Sequence, residues 1–313
     1  MKRALVFPGQ GSQRVGMGKA LCAAFPEARE VFQEVDEALD FRLTKIVFEG
    51  PEEELTLTEN TQPALMAVSM AVMRVLERQG GFQLPEAAAF AAGHSLGEYS
   101  ALCAAGAFGI GDAARLLRLR GQAMRRAAPP GSGAMAALLG ADLQAAREIA
   151  AAAAQGEVCI AANDNAPGQV VISGHAAAID RAIAIAAERG FKRCVKLPVS
   201  APFHSPLMEP AAREMREALA ATAIACPCVP VVSNVTASAV SDPETIRGLL
   251  VEQVTGSVRW RESVLFLKEQ EVEQIVECGA GSVLAGLAKR IDRDMNAVSL
   301  HTPEEIEKFL AGM

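Results

Sequence analysis

This sequence of 313 residues has no long hydrophobic run. Near its start, only four apolar residues, Ala4 to Phe7, follow a basic pair before Pro8 breaks the run, so a secretory signal is not expected. Elsewhere, no apolar stretch approaches the roughly 20 residues that a membrane-spanning helix requires. These absences predict a cytoplasmic protein that does not act in a membrane.

Basic tracts and paired cysteines are also lacking. The formal net charge is −7 and no segment is a long run of lysine and arginine, which argues against a nucleic acid as the main partner. The seven cysteines are an odd number without paired spacing, and Cys226 and Cys228 flank a proline in a pattern that zinc sites do not use. We therefore expect reduced thiols and no metal site.

The apolar half of the sequence is large enough for a substantial core, in one large domain or two smaller ones. Ala4–Phe7 predicts a buried strand before a glycine-rich loop, and Thr61–Gln79 predicts a helix. Ala87–Ala92 predicts a second strand that ends sharply at Gly93, and Glu98–Ala105 predicts the helix that follows it. This order of strand, turn and helix is typical of an α/β layer.

The middle of the chain predicts a different order, β-α-β-β-α-β, which is the split unit of ferredoxin-like folds. A run of turn formers, Asn163–Gln169, joins its two middle strands, and Pro129–Gly133 marks the junction before it. The chain returns to the first layer near Pro198 and adds the buried strand Gln274–Cys278 there. The predicted elements of this unit are the strands Ala134–Leu139, Val158–Ala162, Val170–Ser173 and Phe191–Leu197 and the helices Asp142–Ala154 and Ala176–Arg189.

This layout predicts two domains within an α/β fold. The large α/β domain consists of residues 1–128 and 198–313 and is built on a parallel sheet. The small ferredoxin-like domain consists of residues 129–197 and is inserted into the large one.

A candidate nucleophile lies at the end of the second predicted strand. Gly93-His94-Ser95-Leu96-Gly97 matches the nucleophile elbow, in which two glycines let the chain turn so tightly that the serine projects. The serine also begins a helix, where backbone N–H groups and the helix dipole favour a developing oxyanion. A plain structural turn is the alternative, because the pattern is short. Its position between a strand and a helix favours a catalytic Ser95.

A serine hydroxyl needs a base, and the chain has only four histidines. His94 is expected to point away from its neighbour, His175 opens a helix, and His301 lies among charged residues. His204 lies in a loop that two prolines stiffen, which favours it as the base. No aspartate stands out as a third member, so we expect a backbone carbonyl or an amide to orient the pair.

Arg120 is the most informative residue of the sequence. In the predicted helix Asp112–Arg126, it falls near the middle of an apolar face that includes Met124. A buried guanidinium requires an anionic partner. That partner is either an internal Asp or Glu, or a substrate carboxylate held through two parallel hydrogen bonds, which would mean an acyl group with its own carboxylate. The remaining arginines of the helix gather on the opposite, solvated face: Arg115, Arg118, Arg125 and Arg126.

With elbow, histidine and arginine in place, the chain resembles malonyl-CoA:acyl carrier protein transacylases over nearly its whole length. The fold that this resemblance implies is a hydrolase-like α/β core with a small inserted ferredoxin-like domain. Two loops depart from the family pattern, at Thr255-Gly256 and at Gly279-Ala280-Gly281, which stands in place of Gly-Pro-Gly. The motifs that carry the resemblance are Phe7–Gln13, Gly93–Tyr99, Asn165–Val171, Ala201–Ser205 and Glu277–Gly279.

The resemblance also implies a role for individual residues. Ser95 matches the acylated nucleophile and His204 its base. Gln10 and Leu96 match the residues whose backbone N–H groups form the oxyanion hole. Gln253 matches the residue whose main-chain carbonyl orients the histidine. In the substrate pocket, the corresponding assignments are Arg120 for the malonyl carboxylate, together with Met124 and Phe203.

The implied reaction moves a malonyl group from malonyl-CoA to the phosphopantetheine thiol of an acyl carrier protein. It proceeds through a malonyl-serine intermediate, supplies fatty-acid synthesis and needs no cofactor, since the coenzyme A thioester is the substrate. We expect a monomer whose partners are malonyl-CoA and the carrier protein.

Three alternatives to this function remain, the first in two forms. The chain could be the transacylase subunit of a malonate decarboxylase or an acyltransferase of polyketide synthesis. A serine thioesterase or hydrolase is disfavoured, because neutral esters gain nothing from a buried cation such as Arg120. A non-catalytic binding module is disfavoured by the intact Ser95, His204 and Arg120.

Overall fold

The computed structural model describes residues 1–129, 131–199 and 201–313. Pro130 of the predicted junction and Ser200 at the start of the histidine loop lie outside the described residues. Among the described residues, no helix is long and apolar enough to cross a membrane. The described strands are β1 (Arg3–Phe7), β2 (Phe90–Gly93), β3 (Gly133–Leu139), β4 (Cys159–Ala166), β5 (Gln169–His175), β6 (Arg193–Lys196), β7 (Val231–Val232), β8 (Ala239–Val240), β9 (Gln274–Cys278) and β10 (Asn296–Leu300).

Helices cover both sheets, and most of them carry one buried face. A short 3-10 helix at Pro206–Met208 follows the histidine loop. The α-helices are α1 (Lys19–Ala24), α2 (Pro26–Leu39), α3 (Leu43–Glu49), α4 (Glu52–Thr56), α5 (Thr58–Gly80), α6 (Leu84–Ala87), α7 (Leu96–Ala104), α8 (Ile110–Ala127), α9 (Leu143–Ala154), α10 (Ala176–Glu188), α11 (Glu209–Ala221), α12 (Pro243–Thr255), α13 (Trp260–Glu269), α14 (Val283–Ile291) and α15 (Pro303–Ala311).

The larger sheet has six strands in the order β10-β9-β1-β2-β7-β8. All neighbours pair in parallel except β7 and β8. Parallel sheets need cover on both faces, and β1 and β9 are accordingly buried almost throughout. Phe7 pairs with Gly93, so the loops that follow β1 and β2 leave the sheet at the same carboxyl edge. The predicted α/β fold with a parallel sheet is confirmed.

The smaller sheet has four strands in the order β4-β5-β3-β6, and every pair of neighbours is antiparallel. Helices α9 and α10 pack against it through a cluster dominated by alanine, with Ile149, Ile172 and Ile179 among its larger members. This is the strand order of the split β-α-β unit that the sequence predicts. The limits of the two domains stay a prediction.

The predicted turn at Asn163–Gln169 is wrong for its first four residues. β4 continues to Ala166 through two register shifts, so the turn before β5 is short. The reason is a long-range pairing that overrides the local turn preference. Val258 donates its N–H to Ala162 O at 2.8 Å and accepts from Asp164 N at 3.0 Å.

Close packing of α5 and α8 brings two polar side chains together in the core. Gly121 makes this approach possible, because a Cβ atom there would lie 2.4 Å from Glu59 Cα. Arg120 and Gln62 consequently face each other across the two helices, and both are buried. The helix predicted over Asp112–Arg126 corresponds to α8.

Candidate active site

The turn between β2 and α7 exposes a single serine hydroxyl. Ser95 has φ 55° and ψ −110°, a conformation that non-glycine residues rarely adopt. The two flanking glycines are required sterically, because a Cβ atom on Gly93 would lie 1.9 Å from Gly97 O. Asn234 supports the turn from outside: its Oδ1 accepts from Ser95 N at 2.7 Å and its Nδ2 donates to Gly93 O at 2.6 Å.

His204 contacts the serine directly. Its Nε2 lies 2.7 Å from Ser95 Oγ, and its Nδ1 faces two main-chain oxygens, Gln253 O at 2.9 Å and Gly256 O at 3.2 Å. Two carbonyl acceptors require the proton on Nδ1, which leaves Nε2 free to accept from the serine hydroxyl. Burial, and next the nearby Arg120 cation, lower the pKa of His204 to about 3. The imidazole is therefore neutral at pH 7, as a base must be.

Arg120 lies on the other side of the serine and is 1 % exposed. Its Nη1 donates to Gln62 Oε1 at 2.7 Å, and its Nη2 donates to Gln253 Oε1 at 2.8 Å and to Ser95 Oγ at 3.1 Å. Its Nε has no hydrogen-bond partner in the described part of the chain. Burial lowers the pKa of this guanidinium. The sequence offered an internal Asp or Glu as one possible partner, and no such direct partner exists among the described residues. The acceptors of Arg120 there are two amides and a hydroxyl.

Seven of the eight residues predicted for the site line one cavity of about 260 Å³. The eighth, Gln253, is fully buried next to it and reaches the site through hydrogen bonds. The residues that line the cavity are Gln10, Ser95, Leu96, Arg120, Met124, Phe203 and His204.

Two residues that line the cavity also have backbone N–H groups without a protein partner among the described residues. Within residues 1–129, 131–199 and 201–313, neither Gln10 N nor Leu96 N donates a hydrogen bond to a protein group. Leu96 is the first residue of α7, where N–H groups have no partner inside the helix. Both residues are therefore available to an oxygen anion that develops next to Ser95.

The comparison with known proteins agrees with this geometry. Residues 4–306 match the family model described as "Acyl transferase domain". The malonyl CoA-acyl carrier protein transacylase of Bacillus subtilis (strain 168) is 45 % identical over 307 residues, which cover 98 % of this chain and 95 % of that protein. This chain belongs to the malonyl CoA-acyl carrier protein transacylase family.

Solved structures of this transacylase family share the whole fold. The acyl-carrier-protein-S-malonyltransferase from Bartonella henselae superposes with a TM-score of 0.97 at 53 % identity, covering 100 % of this chain and 99 % of that one. A solved complex of a holo type II PKS acyl-carrier protein with its malonyl-transacylase gives a TM-score of 0.96 at 42 % identity, with 100 % of both chains covered. The resemblance read from the sequence motifs is confirmed.

His94 lies closer to this transacylase site than the sequence predicts. It lines the same cavity, with Nε2 2.8 Å from Asn165 Oδ1 and its ring centroid 5.7 Å from that of Trp260. Burial lowers the pKa of His94, so the ring is neutral. The other two histidines lie elsewhere: His175 Nδ1 accepts from Val158 N at 2.9 Å, and His301 Nδ1 lies 2.9 Å from Glu305.

Three polar residues next to Ser95 and Arg120 were not among the predicted site residues: Gln62, Glu98 and Asn234. Glu98 is a charged residue in a mainly apolar helix, which is the same kind of signal that identified Arg120. Gln62 follows the polar run Thr58–Thr61, so the sequence gives no sign that it is buried. Asn234 lies in a loop after β7, where its sequence neighbours give no such signal. Among the described residues, no cluster of His, Cys, Asp or Glu could hold a metal ion.

Proposed function

We propose that this chain is an acyl-carrier-protein S-malonyltransferase, which moves malonyl from malonyl-CoA to the phosphopantetheine thiol of an acyl carrier protein and so supplies fatty-acid synthesis. The observation that carries the proposal is a buried guanidinium 3.1 Å from the nucleophilic oxygen. In a malonyl thioester, one methylene separates the carboxylate from the carbonyl carbon. A cation in contact with the serine hydroxyl is therefore within reach of that carboxylate.

In the first half-reaction, Ser95 Oγ attacks the thioester carbonyl carbon and His204 Nε2 takes the hydroxyl proton. The resulting oxyanion is stabilised by the N–H groups of Gln10 and Leu96. Gln253 O and Gly256 O hold the imidazole by its Nδ1–H and stabilise the imidazolium as it forms. The imidazolium returns its proton to the departing coenzyme A sulfur, and malonyl-serine remains.

In the second half-reaction, the phosphopantetheine thiol attacks the malonyl-serine ester. His204 accepts the thiol proton and then protonates Ser95 Oγ as it leaves. Throughout, the Arg120 guanidinium holds the malonyl carboxylate through charge-assisted hydrogen bonds, with Met124 and Phe203 lining the pocket around it. The enzyme needs no cofactor in this scheme, acts as a monomer in the cytoplasm, and comprises a small domain, 129–197, inserted into the large one.

One experiment tests nucleophile and donor together. The protein is exposed briefly to malonyl-CoA without a carrier protein, and its intact mass is measured. We expect a gain of one malonyl group in the wild type and none in Ser95→Ala. Initial-rate kinetics with both substrates should give parallel reciprocal plots, as a ping-pong mechanism requires. Intersecting plots would contradict the covalent intermediate.

A second candidate function differs only in the pathway that receives the malonyl group. It is supported by the likeness to the malonyl-transacylase that was solved with a type II PKS acyl-carrier protein. Transfer to a fatty-acid carrier protein and to a polyketide carrier protein, compared at equal concentrations, separates the two. A higher kcat/KM for the polyketide carrier would favour the second candidate.

A further inference from the structure

A buried carboxylate lies next to the site, and the proposed reaction does not use it. Glu98 lies on α7 three residues after the nucleophile and is 2 % exposed. Its Oε2 accepts from Gln253 Nε2 at 2.7 Å and from Asn234 N at 3.1 Å. Burial raises the pKa of Glu98 to about 7, while these donors and the nearby Arg120 cation oppose the rise. The carboxylate is costly to bury, so its hydrogen bonds require an explanation.

The bonds of Glu98 determine which way the Gln253 amide faces. Gln253 Nε2 donates both to Glu98 Oε2 at 2.7 Å and to Ser95 O at 2.9 Å, and both of these atoms are acceptors. The amide oxygen must then occupy the remaining side, where it accepts from Arg120 Nη2 at 2.8 Å. A flipped amide would place an NH2 group against the guanidinium and turn its oxygen toward two other acceptors, Glu98 Oε2 and Ser95 O.

Gln253 thus connects the two sides of the site. Its main-chain oxygen accepts from His204, whereas its side-chain oxygen accepts from Arg120. Substitution of the side chain leaves the main-chain contact in place. An effect that passes through the Gln253 side chain therefore reaches Arg120 while the main-chain contact with the base is kept.

We propose that Glu98 is a positioning residue for carboxylate recognition: it fixes the amide of Gln253, which in turn holds the Arg120 guanidinium beside the nucleophile. This inference rests on the proposed function, because it takes Arg120 as the group that binds the substrate carboxylate. A purely structural role is the alternative, since Glu98 also accepts from Asn234 N, and Asn234 supports the Ser95 turn.

The ratio of kcat/KM for malonyl-CoA to that for acetyl-CoA separates the two roles. Damage to the Ser95 turn lowers both values alike and leaves the ratio unchanged, whereas displacement of Arg120 lowers only the malonyl value. We expect Glu98→Leu, which cannot accept a hydrogen bond, to lower the ratio roughly tenfold or more, as for the loss of a hydrogen bond to a charged group. Glu98→Gln keeps a side-chain oxygen and should hold the ratio within about threefold of the wild type.

A double-mutant cycle tests whether Glu98 acts through the guanidinium. In an Arg120→Ala background, Glu98→Leu should leave the malonyl-to-acetyl ratio where Arg120→Ala alone puts it. The proposal would be overturned if Glu98→Leu lowered the ratio equally with and without Arg120. It would also be overturned if Glu98→Leu left the ratio unchanged when Arg120 is present. If Glu98→Leu does not fold, Gln253→Met takes its place. It removes the amide and keeps the main-chain oxygen, so an unchanged ratio would again overturn the proposal.

The chain offers a matched control in Glu277. This glutamate is also fully buried and accepts from a helix N–H, Ala285 N at 2.8 Å, but it does not line the cavity. Glu277→Gln should leave the ratio unchanged. A wild-type enzyme without preference for malonyl would contradict the proposed function itself. A wild-type preference that persists in Glu98→Leu would contradict only the role of Glu98.

Discussion

The two sides of the Ser95 hydroxyl are held in different ways. On the side of the base, Ser95 and His204 form a neutral pair, and both ring nitrogens of the histidine have partners. Its Nδ1 faces main-chain oxygens, which no side-chain substitution removes. On the side of the cation, Arg120 depends on the side-chain amides of Gln62 and Gln253, and its Nε has no partner among the described residues.

This difference predicts separate roles: the base side makes and breaks bonds, and the cation side selects the acyl group. The base side has its full set of hydrogen bonds before a substrate binds. The cation side carries a buried positive charge without a direct carboxylate partner, which an anionic acyl group would supply. Substitutions on the base side should therefore affect every acyl group alike, and substitutions on the cation side should discriminate between acyl groups.

The largest effect is expected from Ser95→Ala. Without the hydroxyl no acyl-enzyme forms, so transfer should fall by roughly four decades or more for malonyl and acetyl alike. Steady-state kcat/KM with both thioesters measures the loss. His204→Ala should cost about as much, and the double variant little more, because residues that act as a unit are not additive. A Ser95→Ala enzyme that still transfers malonyl would show that Ser95 is not the nucleophile.

Arg120→Ala should give the next largest effect, and for one substrate only. Removing one partner of a buried charge pair costs about 3–5 kcal/mol, which corresponds to roughly two to four decades in kcat/KM for malonyl-CoA. Acetyl-CoA has no carboxylate, so its kcat/KM should stay the same or rise. Equal losses for both thioesters would show that Arg120 supports the structure and does not select the substrate.

The sequence predicts best those features whose cause lies within one element. The elbow of Ser95 depends on two glycines within five residues, and the position of Arg120 on an apolar face follows from the period of a single helix. Both were recognisable without a structure. The parallel sheet also follows from the local order of strand, turn and helix.

Features that depend on distant pairing were not predictable in this way. β4 extends to Ala166 because Val258, about a hundred residues later, pairs with it. Asn234 reaches Ser95 from 139 positions away, and Gln62 meets Arg120 only because α5 and α8 pack closely. No local pattern contains these contacts, since turn and burial preferences describe a residue and its neighbours along the chain.

The pH dependence of Ser95 reactivity should show how the charge of Arg120 affects the pKa of His204. Because burial and Arg120 lower the pKa of His204 to about 3, the imidazole is neutral and competent well below pH 6.5. Inactivation of Ser95 by a neutral sulfonyl fluoride should therefore stay level from pH 8 to about pH 5. In Arg120→Ala the neighbouring positive charge is lost, the pKa rises, and the acid limb should move upward.

The control for this measurement is to verify that the protein remains folded at each pH. The single tryptophan, Trp260, is 1 % exposed, so its fluorescence reports unfolding. A wild-type midpoint near 6.5, the ordinary value for histidine, would contradict the predicted depression. The same midpoint in wild type and Arg120→Ala would show that the cation does not act on the base.

The smallest effect is expected at the surface, where an acidic carrier protein would dock. The basic residues of α8 are largely neutralised: Arg115 pairs with Asp112 at 2.7 Å and Arg126 with Glu214 at 2.5 Å. Lys192 and Arg193, by contrast, are exposed and have no ion pair with any described residue. Arg193 begins β6 and Lys192 directly precedes it, and β6 continues into Leu197, Pro198 and Val199 of the cavity wall.

Charge reversal of Lys192 and Arg193 together should raise the KM for the carrier protein severalfold at low salt, because long-range attraction steers association. The difference should shrink at high salt, where such attraction is screened. The matched control, Arg115→Glu with Arg126→Glu, makes the same change in net charge on α8 and not beside β6, and should have less effect. Neither pair lies on the base side or the cation side, so acylation by malonyl-CoA and the malonyl-to-acetyl ratio should not change. An unchanged salt dependence would place docking elsewhere.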